Sequence, residues 1–97
     1  MLKVIILTVE TRLGNRVSLT EERWNHIVSR HPEMAGYLEQ VKYTLETPDC
    51  VLFNNESYLY HKKLKDYLIV AVDGNQKFII TAFISDTMKK GDIIWKA

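Results

Sequence analysis

Several residue types are scarce in this sequence, and each scarcity excludes a class of protein. The single cysteine, Cys50, excludes an intramolecular disulfide. The three histidines and that cysteine do not have the spacing of zinc ligands. The apolar run YLIVAV, residues 67–72, is far too short to cross a bilayer. We therefore expect a protein that needs no metal or other cofactor and does not enter a membrane.

The N-terminus also lacks the features of a secretory signal. Its apolar run meets Glu10 and Arg12 at once, and no small-residue cleavage site follows. A cytoplasmic location is the expectation. With 97 residues, 46% of them hydrophobic and 26% charged, the chain has the size and composition of one globular domain spanning residues 1–97.

The charge is nearly balanced overall but unevenly distributed. A net charge of +1 argues against a polycation that coats nucleic acid. Residues 57–97, however, carry seven basic and four acidic side chains, with lysines clustered in segments 61–65 and 88–91. Such clusters can bind an anion. The alternative is that these lysines keep exposed strand edges and hairpin tips from aggregating.

The hydrophobic pattern predicts an α+β domain that starts with a short hairpin. β-branched runs at 3–10 and 16–19 flank a Gly-Asn turn signal. Thr20, followed by two glutamates, predicts a helix start, and Pro32 predicts its end. Apolar residues at helical spacing then predict a second helix from about Met34 to residue 45 or 46.

From Cys50 onward the apolar period changes to two, which predicts an antiparallel sheet. The predicted strands are 50–54, 57–63, 66–73, 76–86 and a short last one at 92–95. An Asp-Gly pair at Asp73 predicts a type I′ hairpin turn before the fourth of them. The two N-terminal helices are expected to pack on one face of this antiparallel sheet.

Alternation along the strands predicts which side chains share a face of the sheet. The face under the helices is expected to contain Leu59, Leu68, Val70, Val72, Phe78, Ile80, Ala82 and Ile84. The opposite face then presents aromatic, hydroxyl and lysine side chains: Tyr58, Tyr60, Lys62, Tyr67, Thr81, Phe83 and Ser85. Such a surface suits RNA, because rings stack on bases while lysines and hydroxyls contact phosphate. The alternative is an amphipathic sheet whose tyrosines form cross-strand pairs.

Two of the three histidines lie in WNHIVSRHPE, residues 24–33. Helical spacing predicts that His31 ends the buried stripe and faces the sheet, whereas His26 points away from the sheet and shares a face with Arg23 and Arg30. Either histidine could transfer protons near neutral pH. Packing or capping is the alternative role for His31, and a solvated helix surface is the alternative for His26. His31 is the preferred catalytic residue because a catalytic group must reach the substrate.

Three segments together resemble a known group of nucleases. LTEERWNHIVSRHPEM, YLYHKKLKDYLIVAV and FIITAFISDTMKKGDIIW are similar to the phage-associated branch of the barnase–EndoU–colicin–RelE-like nuclease superfamily, over roughly residues 17–95. The resemblance implies a metal-independent, toxin-like ribonuclease whose site lies on the exposed face of the sheet. It also implies RNA as the substrate and an antitoxin or immunity protein as a partner.

The resemblance further implies roles for individual residues. The expected catalytic set is His26, His31, Tyr60, Lys62, Thr81 and Ser85. The exposed basic and aromatic side chains, independently of the resemblance, give the expected RNA contacts: Arg30, Tyr58, Lys63 and Tyr67. Alternation favours Lys62 over Lys63 as the lysine that faces the site, and Ser85 stands where relatives often have threonine. Glu33 and Asp86 are alternative bases, whereas His61 is expected to pack beside Leu59.

Two functions follow from these residues and stay open. Metal-free RNA cleavage needs a base for the ribose 2′-hydroxyl, an acid for the leaving 5′-oxygen and cations for the phosphorane charge. The leading prediction is a ribonuclease that supplies all three. The alternative is a non-catalytic RNA- or protein-binding module on the same fold, which needs the basic aromatic surface but no acid–base pair.

Overall fold

A computed structural model describes residues 3–97 as an α+β fold. The chain begins with strands β1 (Ile5–Glu10) and β2 (Arg16–Thr20), then forms helix α1 (Glu21–Arg30), a 3-10 turn (Pro32–Met34) and helix α2 (Leu38–Glu46). Five strands follow: β3 (Cys50–Asn54), β4 (Ser57–Lys63), β5 (Tyr67–Asp73), β6 (Ile79–Ser85) and β7 (Asp92–Lys96). The predicted fold class, with its N-terminal hairpin, two helices and antiparallel sheet, is confirmed.

The main sheet has the strand order β6-β5-β4-β3-β7, and all of its neighbouring strands are antiparallel. Strands β3 to β6 form a meander, but β7 pairs with β3 at the far edge. Residues 86–91 therefore cross from one edge of the sheet to the other, and we call them the crossover. Within residues 3–97, no helix has the length and apolar character needed to span a membrane.

The core lies between the two helices, the hairpin and one face of the main sheet. Thr20 caps α1, since its hydroxyl accepts the backbone N–H of Arg23 at 3.1 Å. Ile27 of α1 is buried, as are Leu68 and Val70 of β5, which confirms the predicted core face of that strand. Apolar burial contributes about 25 cal/mol per Å², so this layer fixes α1 against the sheet.

Two local predictions along the chain are wrong. The second helix begins at Leu38 rather than near Met34, because Gly36 takes a φ of +84° and interrupts the helical path after the 3-10 turn. The hairpin after β5 is not type I′, since Gln76 rather than Gly74 has positive φ. The Asp73 carboxylate instead organises a longer turn by accepting backbone N–H groups from Asn75, Lys77 and Phe78.

A register shift changes which residues of β6 are buried. Ala71 pairs with Thr81, but the next residue, Val72, pairs with Ile79, so Ile80 is the extra residue of a bulge. Ile79 is consequently buried, whereas Phe78 is 45% exposed. The expectation that Phe78 is part of the core is therefore wrong, whereas Ile80 is half-buried beside α1. Beyond the bulge the phase is as predicted: Ala82 belongs to the core, and the partly buried Ile84 packs against it.

Strand β4 has the opposite phase from the predicted one. Tyr60 pairs with Val70 and Lys62 with Leu68, so both project from the helix-facing side. Tyr60 is fully buried, and its hydroxyl lies 3.1 Å from Thr11 Oγ1 and 3.2 Å from Gln76 Oε1. The expectation that Tyr58, Tyr60 and Lys62 face away from the helices is wrong.

The physical reason is that β4 is covered on both sides. Lys62 keeps its ammonium solvated and paired at the rim, where Nζ donates to the Thr47 carbonyl at 2.7 Å and lies 4.9 Å from the Tyr43 ring centroid. On the other side, the crossover buries His61 completely. When both faces of a strand are covered, apolar alternation no longer identifies the core face.

Candidate active site at the edge of the sheet

Helix α1 and edge strand β6 enclose an open cleft of about 380 Å³. The helix side contributes Arg23, His26, Arg30 and His31, and the strand contributes Ile80 and Thr81. Positions 23, 26 and 30 lie on one face of the helix, because they are separated by three and four residues. The packing of α1 against β6 therefore gathers two histidines, two arginines and one hydroxyl into a single space.

His26 lies in this cleft together with His31. The prediction that His26 points away from the sheet is wrong, because α1 packs along the edge of the sheet rather than over its centre. Its Arg23–His26–Arg30 face is thus directed at the edge strand and its Thr81. Both histidines, and not His31 alone, therefore line the cleft.

Two neighbours orient the His31 ring. The ring centroid lies 5.7 Å from that of Phe83 at an interplanar angle of 33°. Its Nδ1 atom is 3.7 Å from Glu33 Oε2. That separation is too long for a hydrogen bond, so the aromatic contact with Phe83 is the closer constraint on the ring.

Positive charge continues along the edge of β6 on both sides of the cleft. A neighbouring pocket of about 270 Å³ is lined by Lys3, Thr20, Glu22, Arg23 and residues 78–80. In the other direction, the Lys89 Nζ lies 5.2 Å from the centroid of Phe83. Cations spaced along one edge attract an extended polyanion more strongly than the small net charge suggests. The cleft is the centre of this basic edge.

The other predicted site residues lie outside the cleft. Tyr58, Tyr60 and Lys62 are on the helix-facing side of β4. Tyr67 and Lys63 pair with each other on the opposite side, closer to β3. Ser85 ends β6, where its hydroxyl accepts the N–H of Thr87 at 3.2 Å. Of the ten predicted site residues, the cleft brings together His26, Arg30, His31 and Thr81.

The prediction omitted three residues that the structure places at this edge: Arg23, Phe83 and Lys89. Arg23 could have been found, since its spacing from His26 and Arg30 was visible in the sequence. Phe83 was assigned to the correct face of the sheet, but its contact with His31 depends on how the helix packs. Lys89 belongs to a recognisable lysine cluster, whose position was set by the crossover.

His61 is a structural residue, as predicted. It is fully buried, its Nδ1 lies 2.9 Å from the Leu59 carbonyl oxygen, and its Nε2 accepts the Lys89 backbone N–H at 3.1 Å. These partners fit a neutral imidazole protonated on Nδ1. Burial lowers the pKa of His61, and the hydrogen bond to Leu59 offsets only part of that effect. The ring fastens the crossover to the sheet.

The cleft between α1 and β6 combines histidine, arginine and threonine side chains in one open space. Within residues 3–97, no three His, Cys, Asp or Glu side chains come together as a metal site. The model of the family phage-Barnase-EndoU-ColicinE5/D-RelE like nuclease2 matches residues 6–96, and the chain belongs to that family. Comparisons with curated proteins and with solved structures found no match. The family assignment supports a nuclease-type function.

Proposed function

We propose that this protein is a metal-independent endoribonuclease of the toxin type, with its active site in the cleft between α1 and β6. The observation that carries the proposal is that His26, His31, Arg23, Arg30 and Thr81 line one cleft. Acid, base, cationic and hydroxyl groups are the components that metal-free phosphodiester transfer requires. Membership of a nuclease family supports the same reaction class.

The reaction proceeds by transfer of the phosphodiester to the neighbouring 2′-oxygen. One histidine, in its neutral form, removes the proton from the ribose 2′-hydroxyl, and the 2′-oxygen attacks phosphorus. The second histidine, in its protonated form, donates a proton to the 5′-oxygen as the P–O5′ bond breaks. The products are a 2′,3′-cyclic phosphate and a free 5′-hydroxyl, and the two histidines exchange their protonation states.

The remaining cleft residues stabilise charge. Arg23 and Arg30 offset the negative charge that accumulates on the non-bridging oxygens of the phosphorane, and Thr81 can donate its hydroxyl proton to one of them. We assign the larger catalytic role to His31, because its ring lies against the Phe83 ring. His26 is exposed and less restrained, so we assign it the smaller contribution to the rate.

The toxin assignment adds a biological setting to the chemistry. Unregulated cleavage of RNA in the cytoplasm, where we place the activity, would arrest growth. Such a protein would need an antitoxin or immunity protein that covers the cleft. The basic lining predicts that this inhibitor presents carboxylates to Arg23 and Arg30, since complementary charge speeds association.

The experiment is an RNA cleavage assay in the presence of EDTA. Purified protein should cut mixed cellular RNA and leave 2′,3′-cyclic phosphate ends, whereas a His26→Gln/His31→Gln double variant should not. Lys42→Gln, on α2 away from the cleft, is the matched surface control. Salt-sensitive RNA binding without cleavage would replace the proposal by the non-catalytic RNA-binding module. If the protein neither binds nor cleaves RNA, both candidate functions are overturned.

A further inference from the structure

A second cavity lies on the face of the main sheet that the crossover covers. It measures about 250 Å³ and is separate from the α1–β6 cleft. Most of its lining is apolar, and the lining residues are Asp49, Cys50, Leu52, Lys63, Tyr67, Met88, Ile93 and Lys96. Tyr67 is the aromatic residue among them, and Met88 belongs to the crossover. An apolar cavity with an aromatic wall suits a planar, uncharged group.

The rim of this cavity is positively charged. Its two lysines, Lys63 and Lys96, are faced by one acid, Asp49. The Asp49 carboxylate already accepts the Lys63 backbone N–H at 2.6 Å and lies 3.6 Å from the Lys62 Nζ. Since these contacts compensate the charge of the carboxylate, the two lysine side chains give the rim a net positive charge. The cavity thus combines a site for a flat apolar group with a site for an anion.

Tyr67 links this cavity to the residues at the α1–β6 edge of the sheet. Phe83 pairs with Ile69, and Tyr67 precedes Ile69 by two residues, so Phe83 and Tyr67 are diagonal neighbours on one face, about 7–8 Å apart. Each ring has a lysine ammonium against it, Lys89 at 5.2 Å and Lys63 at 4.4 Å. Alternating rings and cations of this kind are how proteins track a single-stranded nucleic acid.

We propose that this cavity binds an unpaired base that flanks the cleaved nucleotide, which makes single-stranded RNA the substrate class. The inference rests on the proposed function of the α1–β6 cleft. The base stacks on Tyr67 in place of the Lys63 ammonium, and Lys63 and Lys96 then contact the adjoining phosphate. A base held in a duplex cannot enter the cavity without unpairing, so paired flanking sequence loses this contribution.

The test compares a dinucleotide, which fills only the cleft, with a hexanucleotide of the same central step. Tyr67→Leu should lower kcat/KM for the hexanucleotide by about tenfold, within the range expected for loss of one stacked base, and leave the dinucleotide unchanged. Tyr67→Phe keeps the ring and should restore activity. Tyr43→Leu is the matched control, because Tyr43 forms a similar pair with Lys62 on the helix side, at 4.9 Å.

A separate binding measurement keeps this inference distinct from the catalytic one. Fluorescence anisotropy with a 2′-O-methyl hexanucleotide, which cannot be cleaved, should show binding that Tyr67→Leu and Lys63→Gln weaken and Tyr43→Leu does not. This result would support the subsite even if no RNA is cut, in which case only the proposed function fails. Equal loss for the dinucleotide, or hexanucleotide binding that Tyr67→Leu leaves unchanged, would overturn the subsite.

Discussion

The His31 ring lies against the Phe83 ring, with 5.7 Å between their centroids. This contact joins the C-terminal end of α1 to the edge strand of the sheet and fixes the position of one histidine relative to Thr81. We expect Phe83→Leu to lower kcat by at least tenfold with little change in KM, because small displacements of a catalytic group are costly. Initial rates of cleavage, measured over a range of RNA concentrations, give kcat and KM separately and check this. Phe53→Leu is the control: the Phe53 ring lies 4.8 Å from the Tyr58 ring, outside the cleft, and its loss should leave kcat intact.

The two histidines should contribute unequally to cleavage. We expect His31→Gln to lower kcat by about 10²- to 10⁴-fold, as for loss of a general acid or base. His26→Gln should cost less, since that side chain is exposed and unrestrained. Circular dichroism should show both variants folded. A larger loss of kcat in His26→Gln than in His31→Gln would reverse the assignment. Wild-type rates in both variants would show that neither histidine is catalytic.

Tyr60 and Lys62 should affect stability rather than catalysis. Tyr60→Phe removes the hydroxyl that joins Thr11 and Gln76 in a buried network, and we expect it to lower the free energy of unfolding by about 1–3 kcal/mol. Urea denaturation gives this value.

Lys62→Ala should leave kcat/KM for RNA unchanged, since its ammonium contacts Thr47 and Tyr43 away from the cleft. A collapse of activity in Lys62→Ala would restore that lysine to the site.

The buried His61 should make stability fall in mild acid. Its pKa is lowered in the folded protein, chiefly by burial, whereas the unfolded chain binds a proton near the ordinary value of about 6.5. As pH falls below that value, the unfolded state takes up a proton that the native state excludes. The free energy of unfolding therefore decreases, with a limiting slope of about 1.4 kcal/mol per pH unit.

Urea midpoints at pH 7.5 and 5.5 measure this dependence. A His61→Gln variant should be less stable at pH 7.5, because the Lys89 N–H loses its ring acceptor, but its stability should change less between the two pH values. An unaltered pH dependence in His61→Gln would show that another group is responsible.

The order of elements and the basic α1 face were determined by local sequence. Thr20 caps α1 whatever it packs against, because its hydroxyl serves amides within the same turn. The spacing of Arg23, His26 and Arg30 likewise places them on one side of any helix. The apolar side of β5, with Leu68 and Val70, was also correct. These features depend on residues within a few positions of one another, and sequence records such relationships directly.

Tertiary structure decided which surfaces meet. The β4 side chains Tyr60 and Lys62 could point to either face, because the crossover covers the side that was expected to be open. The bulge at Ile80 depends on pairing with β5, and its effect is to expose Phe78. The direction of the His26 face depends on α1 lying along the sheet edge. Each outcome rests on contacts between distant segments, whose free energies local periodicity does not encode.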